Sequence, residues 1–264
     1  MKSFDFEYDG VRLSDNGFII CKFDSDGIET VSNGSYITFN TVSTMNGSKH
    51  ELTSVEYGDC LTTNFQICKN PCLTDNKEIS IEESREIMKW LNRKGFHKFK
   101  LLDIEYIDIF FEASFNVNKI ELDGKICGFE LEMVTNRPYA LQEPVLIKLK
   151  NTVENGTKRF YSKSDEEGYI YPDMEITIEE DGDFELFNAF EQRTMRIANC
   201  KSGEVIHVKY PIIESSLKAH KIQNDFNWKF FRIATTFKEK ANDITISIPC
   251  TIKMVYSPIV KVGI

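Results

Sequence analysis

Apolar and polar positions alternate with period two along most of the chain, and one stretch breaks that rhythm. Phe4, Phe6 and Tyr8 alternate as an opening strand. Phe18–Cys21, Tyr36–Phe39 and Leu61–Cys68 read as further short strands. Asn33-Gly34-Ser35, Asn46-Gly47-Ser48 and Asn155-Gly156-Thr157 are turn signals. Each also fits the N-x-S/T acceptor pattern, but no apolar signal segment opens the chain, so export is not expected and these are read as turns. Lys98–Val117, rich in Phe, Ile and Tyr, is long enough for two strands or one long bent strand. Lys119–Met133 predicts a hairpin about Asp123-Gly124, a pair that matches the twist of adjoining strands. On it Phe129, Leu131 and Met133 share one face, with Gly128, Glu130 and Glu132 on the other.

The exception is Ser80–Gly95. Ser80 and Glu83 have capping-box spacing, so each can satisfy a backbone donor left free in the first turn. Ile87, Met88 and Leu91 form an apolar stripe with Trp90 at its edge. Gly95 follows Arg93 and Lys94 where a left-handed cap is wanted. A helix this short is marginal by itself, so it is expected to lie on a sheet. Strands, one helix, then more strands predict a sheet-based domain with a covering helix.

Arg137-Pro138-Tyr139-Ala140-Leu141-Gln142-Glu143-Pro144, with two prolines, reads as a semi-rigid linker. It divides the chain into domains 1–140 and 141–264. The second half reads as strands only: Gly168–Tyr171, Met174–Ile178, Phe184–Phe187, Arg193–Ile197, Glu204–Lys209, Lys229–Ala234, Asp243–Ile248 and Thr251–Tyr256. Short strands at that spacing predict a β-sandwich. The fold class is mainly β (α+β): a sandwich-like N-terminal domain with one covering helix and a hairpin, then a C-terminal β-sandwich.

The length suffices for one large β domain or two of ordinary size, the composition is globular, and 20 Phe among 264 residues suit pleated surfaces. No run of 18 apolar residues offers a membrane span. The net charge of −9 is uneven: residues 1–145 carry 15 Lys and Arg against 24 Asp and Glu, and residues 146–264 carry 17 of each. A surface of that sign repels phosphates, which argues against sequence-specific nucleic-acid binding. Seven cysteines without a signal segment read as free thiols, and Cys68-Lys-Asn-Pro-Cys72 lacks zinc-ribbon spacing.

No nucleophile elbow, phosphate loop, dinucleotide fingerprint or H-E-x-x-H motif occurs. His50, His97, His207 and His220 stand alone, and His97 and His220, beside lysines, are expected to be exposed. Two carboxylates can suffice for glycoside hydrolysis, so the clusters Glu82, Glu83, Glu86, then Asp103, Glu105, Asp108, then Glu179–Asp183 are candidates. Their ordinary reading is capping, solvation and turns. No cofactor or metal site is expected. Asp225-Phe226-Asn227-Trp228-Lys229-Phe230-Phe231 is the densest aromatic cluster of the second half. Phe226 and Trp228 could stack on a sugar as an adhesion module, and core packing of a hairpin competes with that reading.

The order of features resembles the distal tail protein family of long-tailed bacteriophages. The resemblance spans nearly the whole chain. It rests on Glu82–Lys94 followed by Phe99-Lys100-Leu101-Leu102-Asp103 and the strand through Phe111, then Gly128-Phe129-Glu130-Leu131 and the linker. In the second half it rests on Pro172–Ile178, Asn242–Ile246 and Ile252–Pro258. It implies a non-enzymatic virion protein at the tail tip, made in the bacterial host cytoplasm. It implies a galectin-like second domain and a homohexameric ring joining the tail tube protein to the tail-tip hub protein. A receptor-binding protein could attach to the second domains, and no membrane partner is implied. The family often has a basic, Gly-rich loop where this chain reads Thr44-Met45-Asn46-Gly47-Ser48, which are the candidate ring or tube contacts. In such a ring part of the acidic excess would line the lumen and keep DNA from adhering.

Overall fold

The structure, a computed structural model, describes residues 4–23, 37–43 and 49–262. It divides into two compact units: the chain up to Gln142 with the segment from Val260 onward, and Glu143–Ile259.

The strands of the first unit are β1 (Phe6–Tyr8), β2 (Val11–Arg12), β3 (Phe18–Cys21), β4 (Ile37–Ser43), β5 (His50–Tyr57), β6 (Thr62–Lys69), β7 (His97–Leu101), β8 (Ile109–Leu122), β9 (Lys125–Thr135) and β10 (Ala140–Gln142), with helix α1 (Ile81–Leu91) between β6 and β7. Neighbours in the main sheet run β2-β1-β7-β8-β9-β6-β3, and β10 joins β8 by setting Leu141 opposite Phe110. Among the described residues, β4 and β5 pair only with each other, as a separate ribbon.

Alternation in β1 buries Phe6 and Tyr8, while Phe4 stays exposed, so the opening strand starts two residues later than expected. Phe6 is the hub of an aromatic core, with ring centroids of Phe65, Trp90, Phe99 and Phe115 at 5.7, 5.8, 5.4 and 6.1 Å. Edge-on and offset contacts of this kind add to the burial of the rings themselves.

The helix forms where the sequence predicts it. Glu83 N–H donates to Ser80 Oγ (3.1 Å) and Ser80 N–H donates to Glu83 Oε2 (2.8 Å), so both halves of the capping box are made. Ser84, Ile87 and Leu91 are buried on one face. The helix stops at Leu91, because Asn92 leaves helical geometry, and Gly95 makes a later left-handed turn (φ 95°). Trp90 Nε1 donates to the Tyr8 carbonyl (3.3 Å) and Arg93 pairs with Asp9 (2.9 Å), which ties α1 to β1.

Lys98–Val117 resolves into two strands, β7 and β8, separated by a loop with a 3-10 turn at Ile104–Tyr106. The β8–β9 hairpin turns at Asp123 (φ 51°) and Gly124 (φ 74°), as expected. At Gly128 a Cβ would lie 2.6 Å from the Ile67 carbonyl oxygen and 2.6 Å from the Phe23 ring, so only glycine fits between those strands. The turn signals Asn33-Gly34-Ser35 and Asn46-Gly47-Ser48 lie outside the described residues.

The second unit holds β11 (Val145–Asn151), β12 (Gly156–Tyr161), β13 (Gly168–Ile170), β14 (Asp173–Ile178), β15 (Gly182–Asn188), β16 (Arg193–Cys200), β17 (Val205–Lys209), β18 (Ile212–Ser215), β19 (Ile233–Thr235), β20 (Ala241–Ile246) and β21 (Cys250–Tyr256). One sheet runs β11-β21-β14-β17-β18 and the other β12-β20-β15-β16, with β13-β19 as a small extra pair. Ile176, Ile206, Ile252 and Met254 from the first sheet share a core with Phe184, Leu186, Ile197, Ile244 and Ile246 from the second. This is the expected sandwich, and the molecule is mainly β as the sequence predicts.

Two details differ in this unit. The strand expected over Lys229–Ala234 is only β19, because Phe230 and Phe231 are buried as loop anchors outside the ladder. A helical turn, α2 (Ile222–Asp225), interrupts what reads as strands only.

Candidate functional site

Of the carboxylates singled out in the sequence, Glu83, Asp103, Asp181 and Asp183 serve local structure. Glu83 also meets Lys69 (2.8 Å), and that bond, with the cap donors, holds its carboxyl below the usual range. Asp103 accepts the Glu105 N–H (3.3 Å) and caps its own turn. Asp181 accepts the Ser202 N–H (2.8 Å) and pairs with Lys201 (3.0 Å). Asp183 pairs with Arg196 (2.8 Å) and accepts the Asn199 N–H (3.0 Å). Among the described residues, no group of three or more His, Cys, Asp or Glu could hold a metal ion. All seven thiols are free, and burial pushes those of Cys200 and Cys250 up to about 12.

One polar cluster was not legible in the sequence. Glu204 is fully buried. Its Oε1 accepts the Ser215 hydroxyl and lies 2.6 Å from His220 Nδ1, and its Oε2 accepts the Lys201 N–H (2.9 Å). His220 Nε2 lies 3.3 Å from Asp225 Oδ2. Burial alone would raise the Glu204 carboxyl, but these donors outweigh it and leave it lowered. The expectation that His220 is exposed is corrected: its side chain is nearly buried between two carboxylates. His97 is half-buried, edge-on to Tyr8 and 3.7 Å from Asp9. The Glu204 cluster ties the β16–β17 turn to β18 and α2, which is a structural role.

Exposed surfaces are the remaining candidates. The β4–β5 ribbon is open on both faces, with Phe39, Val42, Leu52 and Val55 exposed. The candidate contacts Thr44, Met45, Asn46, Gly47 and Ser48 lie outside the described residues. In the second unit Trp228 is 56% exposed, whereas Phe226 is only 4% exposed and anchors the loop beneath it. Of the two stacking candidates, Trp228 alone offers an open face. Tyr210 and Tyr171 stack nearby (4.1 Å, 18°), and Tyr210 reaches Phe230 (5.2 Å). The third surface is a groove of about 610 Å³ beside α1, lined by Ile81, Ser84, Arg85, Met88, Lys89, Asn92 and Lys119.

Residues 1–137 match the family model described as the phage tail protein N-terminal domain, and residues 139–256 match the phage tail C-terminal domain. The chain belongs to the phage tail protein family. As a fold, this tail protein is similar to SPP1 Dit (gp 19.1), whose crystal structure is described as a paradigm of the hub adsorption apparatus in Gram-positive infecting phages. The TM-score is 0.65 at 10% identity, over 97% of this chain and 99% of that one. A chain of the phage P2 baseplate, in its activated conformation with Ca, has a TM-score of 0.47 at 11% identity, over 97% and 98% of the two chains. No curated protein sequence matches.

The resemblance to distal tail proteins that the helix and flanking strands carry is thus borne out as a shared fold. For a tail protein, the exposed ribbon, the aromatic patch and the α1 groove are the places to look for partners. The ribbon's second strand is not among the strands expected from the sequence, because its apolar residues Leu52 and Val55 do not alternate with period two.

Proposed function

We propose that this tail protein is a non-enzymatic adaptor of the tail tip. Six copies of the first unit close into a ring between the tail tube and the hub, and the second units carry receptor-binding machinery. The observation that carries this reading is the β4–β5 ribbon. A two-stranded ribbon is marginal in water by itself, and this one presents Phe39, Val42, Leu52 and Val55 to solvent. Such a surface is explained by a neighbour that covers it. A head-to-tail contact that closes after six copies needs no ligand. The acidic excess of residues 1–145 fits a lumen that DNA passes without adhering.

Light scattering and negative-stain microscopy of the purified full chain test the reading. Six-fold rings at high protein concentration are expected, and a monomer at every concentration would count against it.

A second reading, sugar binding in adhesion, is favoured by one observation, the open face of Trp228 beside the Tyr171–Tyr210 stack. A glycan array with the full chain tests it. Binding lost in Trp228→Ala supports it, and an array with no hit above background removes it.

A further inference from the structure

The loop before β8 and the groove beside α1 are opposite in charge and alike in apolar character. The loop, Asp103-Ile104-Glu105-Tyr106-Ile107-Asp108, exposes Ile104 (85%) and Ile107 (70%) between three carboxylates. Isoleucines so fully open to water, two in four residues, are a cost that burial against a partner would remove. The groove is shallow: exposed Ile81 and half-buried Met88 give it an apolar surface, with Arg85, Lys89 and Lys119 around them and no acidic side chain in its lining. Lys89 is engaged by Glu86 (3.4 Å) on the helix's outer surface. Arg85, Lys119, Glu105 and Asp108 take part in no ion pair among the described residues, so their charges are available to a partner.

The two features belong to the same unit but not to the same place. The loop leads into β8 at Ile109, and Lys119 lies eleven residues beyond Asp108 on the same strand. At the rise of an extended strand, Lys119 lies at most roughly 36 Å from Asp108, and Ser114, whose hydroxyl donates to the Arg93 carbonyl beside Asn92 at the nearer end of the groove (3.4 Å), at most roughly 20 Å. Within one copy the loop and the groove do not meet, since no loop residue lines the groove. They can meet between copies, and such a contact is head-to-tail and repeats.

Resting on the ring reading above, we infer that the occupant of the α1 groove is a second copy of this chain. The Asp103–Asp108 loop of one copy seats Ile104 and Ile107 against Ile81 and Met88 of the next. Glu105 and Asp108 face Arg85 and Lys119. The apolar contact supplies adhesion, and the charges fix register and exclude the groove-to-groove and loop-to-loop pairings, in which like charges meet.

Charge reversal tests this on the full chain. Arg85→Glu with Lys119→Glu makes groove and loop both acidic; Glu105→Lys with Asp108→Lys makes both basic. All four positions are exposed and unpaired, so folding is unaffected, which thermal melts verify. Asp103 is left alone because it caps its turn. Each reversed protein alone is expected to lose at least ten-fold in ring fraction by mass photometry. An equimolar mixture of the two is expected to restore rings of alternating copies, since each reversed loop then finds an opposite groove. Rings that persist in both reversed proteins overturn this contact and leave the ring reading standing. So do rings lost in both that the mixture fails to restore. A wild-type chain that never assembles overturns the ring reading and this contact with it.

Discussion

Glu204 shows how a single buried charge is tolerated in the second unit. Three donors converge on its carboxylate, and Asp225 lies 3.3 Å from the far side of the His220 ring. Because its carboxyl lies below the ordinary 4.5 in the folded chain, its stabilising effect is complete above that value. It is lost as pH falls through the lower, folded-state value. Glu204→Gln removes the buried charge on which these donors converge and turns an amide N–H toward them, and is expected to cost about 2–3 kcal/mol at neutral pH. It should also flatten part of the acid limb of stability, which urea titrations across an acid pH series would reveal. None of this was readable from the chain alone. His220 sits beside Lys218 and Lys221, a polar context, and the groups that bury it come from positions 204, 215 and 225.

At the scale of elements, what was legible depended on how local the determining forces are. The capping box of α1 and the Asp123-Gly124 hairpin rest on contacts within a few residues, and both appear where they were expected. Ser80→Ala should cost about 1 kcal/mol in chemical denaturation, the usual value of a lost N-cap. β5 was not legible, because neither face of the ribbon is buried and no period-two pattern marks a core side. The end of the strand expected through Phe230 and Phe231 was misjudged for the opposite reason. Those residues are buried, but as loop anchors. Phe39 and Val55 sit opposite each other on the ribbon. If the ribbon is a docking element, Phe39→Ser with Val55→Ser should change stability by about 0.5 kcal/mol or less, as surface changes do. The same double change should abolish ring assembly in microscopy, an outcome that a purely internal role for the ribbon would not produce.

The whole molecule carries two separate cores, one around Phe6 and one around Ile176. Truncating either centre should cost about 3–4 kcal/mol. Calorimetry of Phe6→Ala and Ile176→Ala is expected to move one transition each and leave the other in place. A single transition shifted by both would mean that the units unfold together. The long strand β8 has a further consequence. If the loop before it and the groove near its far end are the two contact points of each copy, β8 is the side of a polygon. In a regular hexagon the side equals the radius, so contact points at most roughly 36 Å apart along the strand put the contacts on a circle no wider than roughly 72 Å. The length of one strand thus sets an upper bound on the circle of contacts, and so on the bore of the assembly, a dimension that can be measured directly on a micrograph.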